Sequence, residues 1–384
     1  MPSPKPFAQI LCDPTGTTAG LFGLIDTAVA AGAKSLFLLA CDANGFTPEA
    51  VDAKLRSVGV PVFGGIFPQL VSGSKTLLRG TIVCGLPVPA TVETIERLSD
   101  PAQDYLIQTS RLPGRIPPGA ALVTLVDGLS TRISALLESL YDALGSDHPY
   151  VGGGAGSLSF VQKPCLFSNS GLLVDCAQIT ALELRMQVGI EHGWQRFAGP
   201  FFVTGAEHNT IHSLDYRPAF EVYREVVEAA SGRRFEDTNF FQLAQGYPFG
   251  VARLNRTMVV RDPLLREGDS LVCVGEVPPN QMVYILKGDA DCLLEASVTC
   301  AQTAIRSSDR GVLALLFDCI SRTLFLKDRF PEELENIGGH LPTGVPLLGA
   351  LSLGEIADAH RPCLEFFNKT IVLGILSQPE RPTV

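Results

Sequence analysis

One pattern occurs three times along this chain, at residues 34–86, 119–184 and 311–376, and it restricts the fold more than any single motif does. Each copy opens on an apolar run closed by an acidic residue or a cysteine, at 35–42, 121–128 and 312–319. A helical stretch follows, over 48–58, 132–144 and, in the third copy, near 331–337. Next comes a glycine-marked segment: Val62-Phe63-Gly64-Gly65, Val151-Gly152-Gly153-Gly154 and Leu347-Leu348-Gly349. A last apolar strand closes each copy, at 80–86, 171–174 and 368–374. Apolar runs without alternation imply strands buried on both faces, as in a sheet lying between helices and a second sheet. The expected fold is therefore α/β, with repeated strand–helix–strand–strand units forming mixed sheets flanked by helices. A four-layer α-β-β-α sandwich is one arrangement that satisfies this.

The pattern changes between the second and third copies. Residues 201–204 and 210–214 flank Gly205-Ala206-Glu207-His208-Asn209 and predict a hairpin. A helix is expected over 215–231, with Asp215 at the N-cap, Pro218 in the first turn and Phe220, Tyr223, Val226 and Val227 on one face. Its Glu221, Arg224 and Glu225 read as a solvated surface. Strands are expected over 253–262, 270–275 and 283–286, and a helix over 291–305. The 384 residues suit two domains, 1–212 and 213–384, meeting where the hairpin hands over to the helix.

A net charge of −10 opposes binding to nucleic acid or to an anionic membrane. The first residues lack a basic stretch followed by an apolar one, so no secretory leader is expected. The apolar stretch 21–39 is interrupted by Asp26 and Lys34 and is too short to span a bilayer. Ten cysteines contain no CxxC pair and read as free thiols of a cytoplasmic protein rather than as zinc ligands.

Several segments together resemble the FIST family, with its N-terminal and C-terminal FIST domains. Phe201-Phe202-Val203-Thr204 and Leu214-Asp215-Tyr216-Arg217-Pro218-Ala219 resemble the junction of the two domains. Tyr247-Pro248-Phe249-Gly250, Val260-Arg261, Gly268-Asp269 and Gly275-Glu276-Val277-Pro278 resemble the start of the C-terminal domain. Asp318-Cys319-Ile320-Ser321-Arg322 and Gly349-Ala350-Leu351-Ser352-Leu353-Gly354-Glu355-Ile356 resemble its signature, and Val151-Gly152-Gly153-Gly154-Ala155-Gly156 a block of the N-terminal half. The first copy departs from the family, carrying Gly64-Gly65-Ile66-Phe67-Pro68-Gln69 in place of a GCSTAGE-like stretch. The resemblance implies sensory binding of small molecules such as amino acids, and in some members haem-dependent sensing of nitric oxide.

The residues themselves offer one constellation. Asp318, Cys319 and Arg322 follow one core strand and Gly354-Glu355 the next, so neighbouring strands would bring them to one crevice. Arg322 would fork onto a carboxylate or phosphate and Glu355 would accept from an amine. The alternative is an ion pair that pins the loop. Arg261, within the Val260-Arg261 match, completes the expected ligand-binding set. Cys319 as a nucleophile needs a base, for which His340 and His360 are the candidates. Haem would need an axial ligand such as His192, His208 or His212. The glycine run at 152–156 lacks the Lys-Ser/Thr of a phosphate loop. The expected function is thus an intracellular sensory module for a small ligand, an amino acid or small carboxylate, without a cofactor or metal and without catalysis. Its output partner would be a separate protein such as a kinase or cyclase. A haem-binding nitric-oxide sensor and a Cys-dependent hydrolase are the two rival readings.

Overall fold

In the computed structural model, which describes residues 6–236, 238–252, 258–305, 311–358 and 363–379, each of the three apolar runs is the central strand of a sheet. The first unit runs β1 (Gln9–Asp13), α1 (Thr18–Ala30), β2 (Ser35–Cys41), α2 (Pro48–Ser57), β3 (Val62–Phe67), the hairpin β4 (Gln69–Ser72) and β5 (Lys75–Leu77), then β6 (Thr81–Leu86). The second repeats that order with β7 (Ala90–Glu96), α3 (Tyr105–Thr109), β8 (Ala121–Asp127), α4 (Ile133–Leu144), β9 (Tyr150–Ala155), the hairpin β10 (Leu166–Ser168) and β11 (Gly171–Leu173), then β12 (Cys176–Leu182). The third begins with β13 (Arg185–Glu191) and is interrupted at once by an insert. The insert comprises β14 (Gln195–Glu207), β15 (Thr210–Leu214), β16 (Arg217–Pro218), α5 (Ala219–Ser231), α6 (Phe240–Ala244), β17 (Phe249–Ala252), β18 (Met258–Arg261), β19 (Pro263–Glu267), β20 (Ser270–Cys273) and β21 (Met282–Lys287). The third unit then resumes with α7 (Ala290–Ala304), β22 (Gly311–Cys319), α8 (Ile320–Leu326), α9 (Phe330–His340), β23 (Leu347–Ser352), the hairpin β24 (Glu355–Ala357) and β25 (Glu365–Phe367), and β26 (Ile371–Ser377).

Within each unit the central strand pairs parallel with the glycine-marked strand and antiparallel with the last one: β2 with β3 and β6, β8 with β9 and β12, β22 with β23 and β26. The short hairpins leave home. That of the first unit adds to the third sheet through β4–β23, that of the second to the first sheet through β10–β3, and that of the third to the second sheet through β24–β9. The exchange closes a ring of three sheets. It replaces the four-layer sandwich, which holds only two. Position 213 falls inside β15, and the third sheet draws β13 from before that point and β22, β23 and β26 from after it.

Burial explains why the strands read as continuous apolar runs. Alternate residues of β22 serve two cores: Leu313, Leu315 and Phe317 face a core shared with Leu38, Phe67, Leu125 and Val151, while Ala314 and Leu316 pack with α7 and α9 through Leu293 and Leu334. In β8, Val123 and Leu125 face the shared core, and Leu122 and Val126 face Leu136 and Leu140 of α4. Each sheet is thus covered on both faces.

The insert forms a separate eight-stranded sheet with its own core around Tyr223, Phe249, Leu271 and Ile285. The expected hairpin is present, turning at His208-Asn209. The helix starts later than expected, at Ala219, because Asp215 and Tyr216 adopt positive φ (48° and 63°) in a two-residue turn joining β15 to β16. That geometry belongs to a β-hairpin rather than a helix cap, and Asp215 Oδ1 accepts from Phe202 N at 2.9 Å instead. Of the strand expected over 253–262, the part 253–257 lies outside the described residues, and β18 covers the rest to Arg261.

Candidate functional site

Core strands β22 and β23 are neighbours, with Leu315 opposite Leu348 and Phe317 opposite Ala350, so the third-unit residues do gather at one end of the sheet. Their side chains diverge. Arg322, on α8, is fully buried and spends all five of its N–H groups on protein acceptors. Nε and Nη2 grip the two Glu333 oxygens of α9, Nε at 3.2 Å. Nη1 donates to His192 O at 2.6 Å and Lys369 O at 3.3 Å, and Nη2 to Leu293 O at 3.1 Å. Asp318 Oδ1 stands 3.4 Å from Nε. Arg322 therefore ties together four segments of the third unit and has no donor left for a ligand. Its acidic partner is Glu333, not Glu355.

The other expected residues are mostly structural as well. Arg261 is buried and donates to the carbonyls of Glu276 (2.8 Å), Val260 (3.2 Å) and Phe366 (2.8 Å), which fastens the insert to β25. Gly354 has φ +132°, and a Cβ there would sit 2.3 Å from the Phe366 ring. Glu355 is fully buried, accepting from Ser352 Oγ at 2.9 Å and from Thr370 N at 3.3 Å. Burial pushes its carboxyl well above the ordinary glutamate range, and it does the same to Asp318, helped there by the nearby Glu333 charge and opposed by Arg322.

A raised pKa has a definite sign in stability. The unfolded chain releases the Glu355 proton from about pH 4.3 upward, while the folded chain keeps it to higher pH. Folding is therefore penalised increasingly as pH rises through that window. Glu355→Gln carries no such proton. Its unfolding midpoint should match the native chain near pH 4 and move above it as pH rises toward 8. A difference that stays constant or shrinks across that range contradicts the assignment.

Of the expected set, Cys319 borders a cavity. A cavity of about 470 Å³ lies between the second unit, the insert and the third unit. Its wall includes Gly128 to Ser134 at the end of β8 and start of α4, the His208-Asn209 turn, Asp262 and Leu264 after β18, Cys319 to Ser321 after β22, and Leu353, Phe366 and Asn368. The site is thus at the C-terminal ends of the core strands, the position the topology favours. Asp262 is completely buried. Its Oδ2 accepts from Ser321 Oγ at 2.8 Å and pairs with Lys369 Nζ at 3.1 Å. Lys369 is itself completely buried, donating to Gln245 O at 3.0 Å and lying 4.8 Å over the Trp194 ring. Burial raises the Asp262 pKa, and Lys369 and Ser321 oppose the rise. Asp262 Oδ1 and Asn368 Oδ1 are buried and accept no hydrogen bond among the described residues.

Leu129 also borders a smaller cavity of about 130 Å³ between the first two units, lined by Asp42, Asp127, Ser157 and Lys163. Its carboxylates are already satisfied. Asp42 takes Ser157 Oγ at 2.6 Å and Lys163 Nζ at 3.1 Å, and Asp127 takes Gln162 Nε2 and Asp175 N, both at 2.9 Å, and Leu129 N at 3.1 Å. Unmet hydrogen-bonding capacity thus singles out the larger cavity.

The residues do not fit haem there. Of the three candidate histidines only His208 borders the cavity, exposed on a hairpin turn. His192 Nδ1 receives Trp194 N at 3.0 Å, and His212 Nδ1 bonds Ser270 Oγ at 2.9 Å. A porphyrin face laid on Asp262 would leave its oxygen without a donor. The Cys319 thiol is pushed far up by burial and by the Glu355 charge, the reverse of what a nucleophile needs. Of its candidate bases, His340 is exposed with Nδ1 on Asn336 O at 2.7 Å, and His360 lies outside the described residues. Among the described residues no group of three metal-ligating side chains is placed to hold an ion, and no helix is long and apolar enough to cross a membrane.

Asp262, Asn368 and Lys369 escaped the reading of the sequence. The one signal was Asn368-Lys369 set between Phe366-Phe367 and the apolar run from Ile371, where a lysine must be buried with a partner. Comparison with known families finds two matches: a model described as FIST N domain over residues 25–217, and one described as FIST C domain over 219–358. No curated protein matches the chain.

Proposed function

The chain belongs to the FIST family, whose domains are sensory domains of signal transduction, and from that premise we propose that it senses a small molecule held in the cavity between the second unit, the insert and the third unit. The ligand is of the size of an amino acid or small carboxylate, and a separate signalling protein such as a kinase or cyclase takes up the response. The supporting observation is an otherwise largely apolar cavity of about 470 Å³ whose wall includes Asp262 and Asn368, each with a buried Oδ1 that accepts no hydrogen bond among the described residues. A mostly apolar hollow with a few convergent polar groups is the usual form of a small-molecule site. Leaving such acceptors unpaired costs about 1–3 kcal/mol each, which a ligand N–H would recover. The cavity also lies where the insert meets the three-sheet body, so occupancy would bear on how those two parts sit together.

The test is a calorimetric screen of amino acids and small carboxylates against the native chain and Leu264→Trp. Leu264 is half-buried on the cavity wall. An indole there would fill the hollow with little strain on the fold. Any ligand of the native chain should bind the variant at least about tenfold more weakly, a loss of about 1.4 kcal/mol, while the melting temperature stays within a few degrees. A ligand that binds both proteins equally sits elsewhere and overturns the proposal.

A further inference from the structure

We infer, on the reading that this cavity holds a ligand, that it recognises an ammonium group on an apolar body, which places amines and apolar amino acids in its ligand class and simple carboxylates outside it. Both unmet groups are acceptors. Ser321 and Lys369 engage only Oδ2 of Asp262, and a carboxylate has lone pairs enough on Oδ1 for a further donor. Asn368 spends its Nδ2 on Phe367 O at 3.0 Å and keeps Oδ1 open. What meets either oxygen must bring an N–H or O–H group.

The charges on the wall do not oppose this. Among the described residues, Asp262 and Glu276 are its carboxylates. Arg132 is its guanidinium, and Nη1 is committed to Asp100 O at 2.6 Å and Gln103 O at 2.9 Å, with the guanidinium carbon 4.9 Å over the Tyr105 ring. Lys369, just behind Asp262, is occupied by Asp262, Gln245 O and the Trp194 ring. The Lys369 charge balances that of Asp262, so the choice falls to the open oxygens: an anion entering here would set its own oxygens against two acceptors, whereas an ammonium would donate to them. The body of the ligand would lie against Ile133, Leu264, Leu324, Leu353 and Phe366.

Three matched probes separate the possibilities on the full chain: phenethylamine, 3-phenylpropionate and ethylbenzene, which share a body and differ at its end. Calorimetry should show phenethylamine binding at least about tenfold tighter than the other two, the least expected of one hydrogen bond to a charged group. Asn368→Leu should reduce that preference. The double variant Asp262→Asn/Lys369→Met removes both members of the buried pair, so no charge is stranded, and it should erase the preference while ethylbenzene binding is kept. Equal affinity for all three probes overturns ammonium recognition and leaves the cavity as a ligand site. Tighter binding of 3-phenylpropionate overturns it as well. Binding of none of the three, with the native chain folded by circular dichroism, overturns the cavity reading together with it.

Discussion

Arg322→Ala should destabilise this protein by about 3–5 kcal/mol, the loss seen when one partner of a buried ion pair is removed and the other is left in place. The variant strands Glu333, which is completely buried, and deprives the carbonyls of His192, Leu293 and Lys369 of their guanidinium donors. Those acceptors come from the loop after β13, from α7, from α9 and from the turn before β26, so one deletion loosens every element that closes the third unit. Arg322→Lys should recover little. An ammonium offers three donors from a single point, and the site takes five from a planar fork. Arg322→Met combined with Glu333→Leu should stand well above Arg322→Ala, because no ion is left unpaired. Urea or thermal midpoints with fluorescence of the single tryptophan, Trp194, would read all three, since Trp194 Nε1 donates to Lys369 O at 3.0 Å beside the cluster. An Arg322→Ala protein that melts with the native chain but no longer binds its ligand would return Arg322 to the binding site and undo the structural assignment.

Why the residues of the cluster were legible as neighbours but not in their roles is a matter of strand geometry. Buried strands and glycines mark the repeat, so the pairing of β22 with β23, and hence the gathering of Asp318, Cys319 and Glu355, could be read from pattern alone. Successive side chains on a strand point to opposite faces. Cys319 therefore reaches the cavity, while Asp318 turns toward Arg322 under α9. A one-residue difference of that kind is invisible until the register is known. The ring of exchanged hairpins was equally hidden. β4 is four residues long and β10 and β24 three each, and nothing in Gln69-Leu70-Val71-Ser72 says that it pairs with β23, across more than two hundred and seventy residues of chain. Asp262, next to Arg261 at the end of a short strand, carries no signal of its own in the sequence. Its importance comes from Lys369 and Ser321, which only the fold brings to it.

Gly152→Ala should be nearly as damaging as the loss of Arg322, and Gly64→Ala and Gly349→Ala should match it, because the three glycines hold one place in the repeat. Gly64 lies opposite Leu38, Gly152 opposite Thr124 and Gly349 opposite Leu316, each the third paired position of a parallel ladder. A Cβ would stand 1.8 Å from Leu38 O, 1.7 Å from Thr124 O and 2.0 Å from Leu316 O. Those oxygens belong to central strands bonded on both sides, so neither strand can yield without breaking a ladder. Overpacking a core usually costs about 1–3 kcal/mol, and a clash with fixed backbone belongs at or beyond the upper end of that range. Gly338→Ala is the control. It lies in α9 with open space where its Cβ would go, and helix propensity alone should make it stabilising by about 0.5–1 kcal/mol. Losses of similar size in the three strand variants, against a gain in the helix variant, would show that the repeat is enforced by backbone proximity rather than by shared ancestry of sequence alone. A Gly152→Ala protein with the native midpoint would mean that β8 and β9 do not approach as closely as this geometry requires. The cavity wall that begins at Gly128, directly beyond β8, would then lose its footing too.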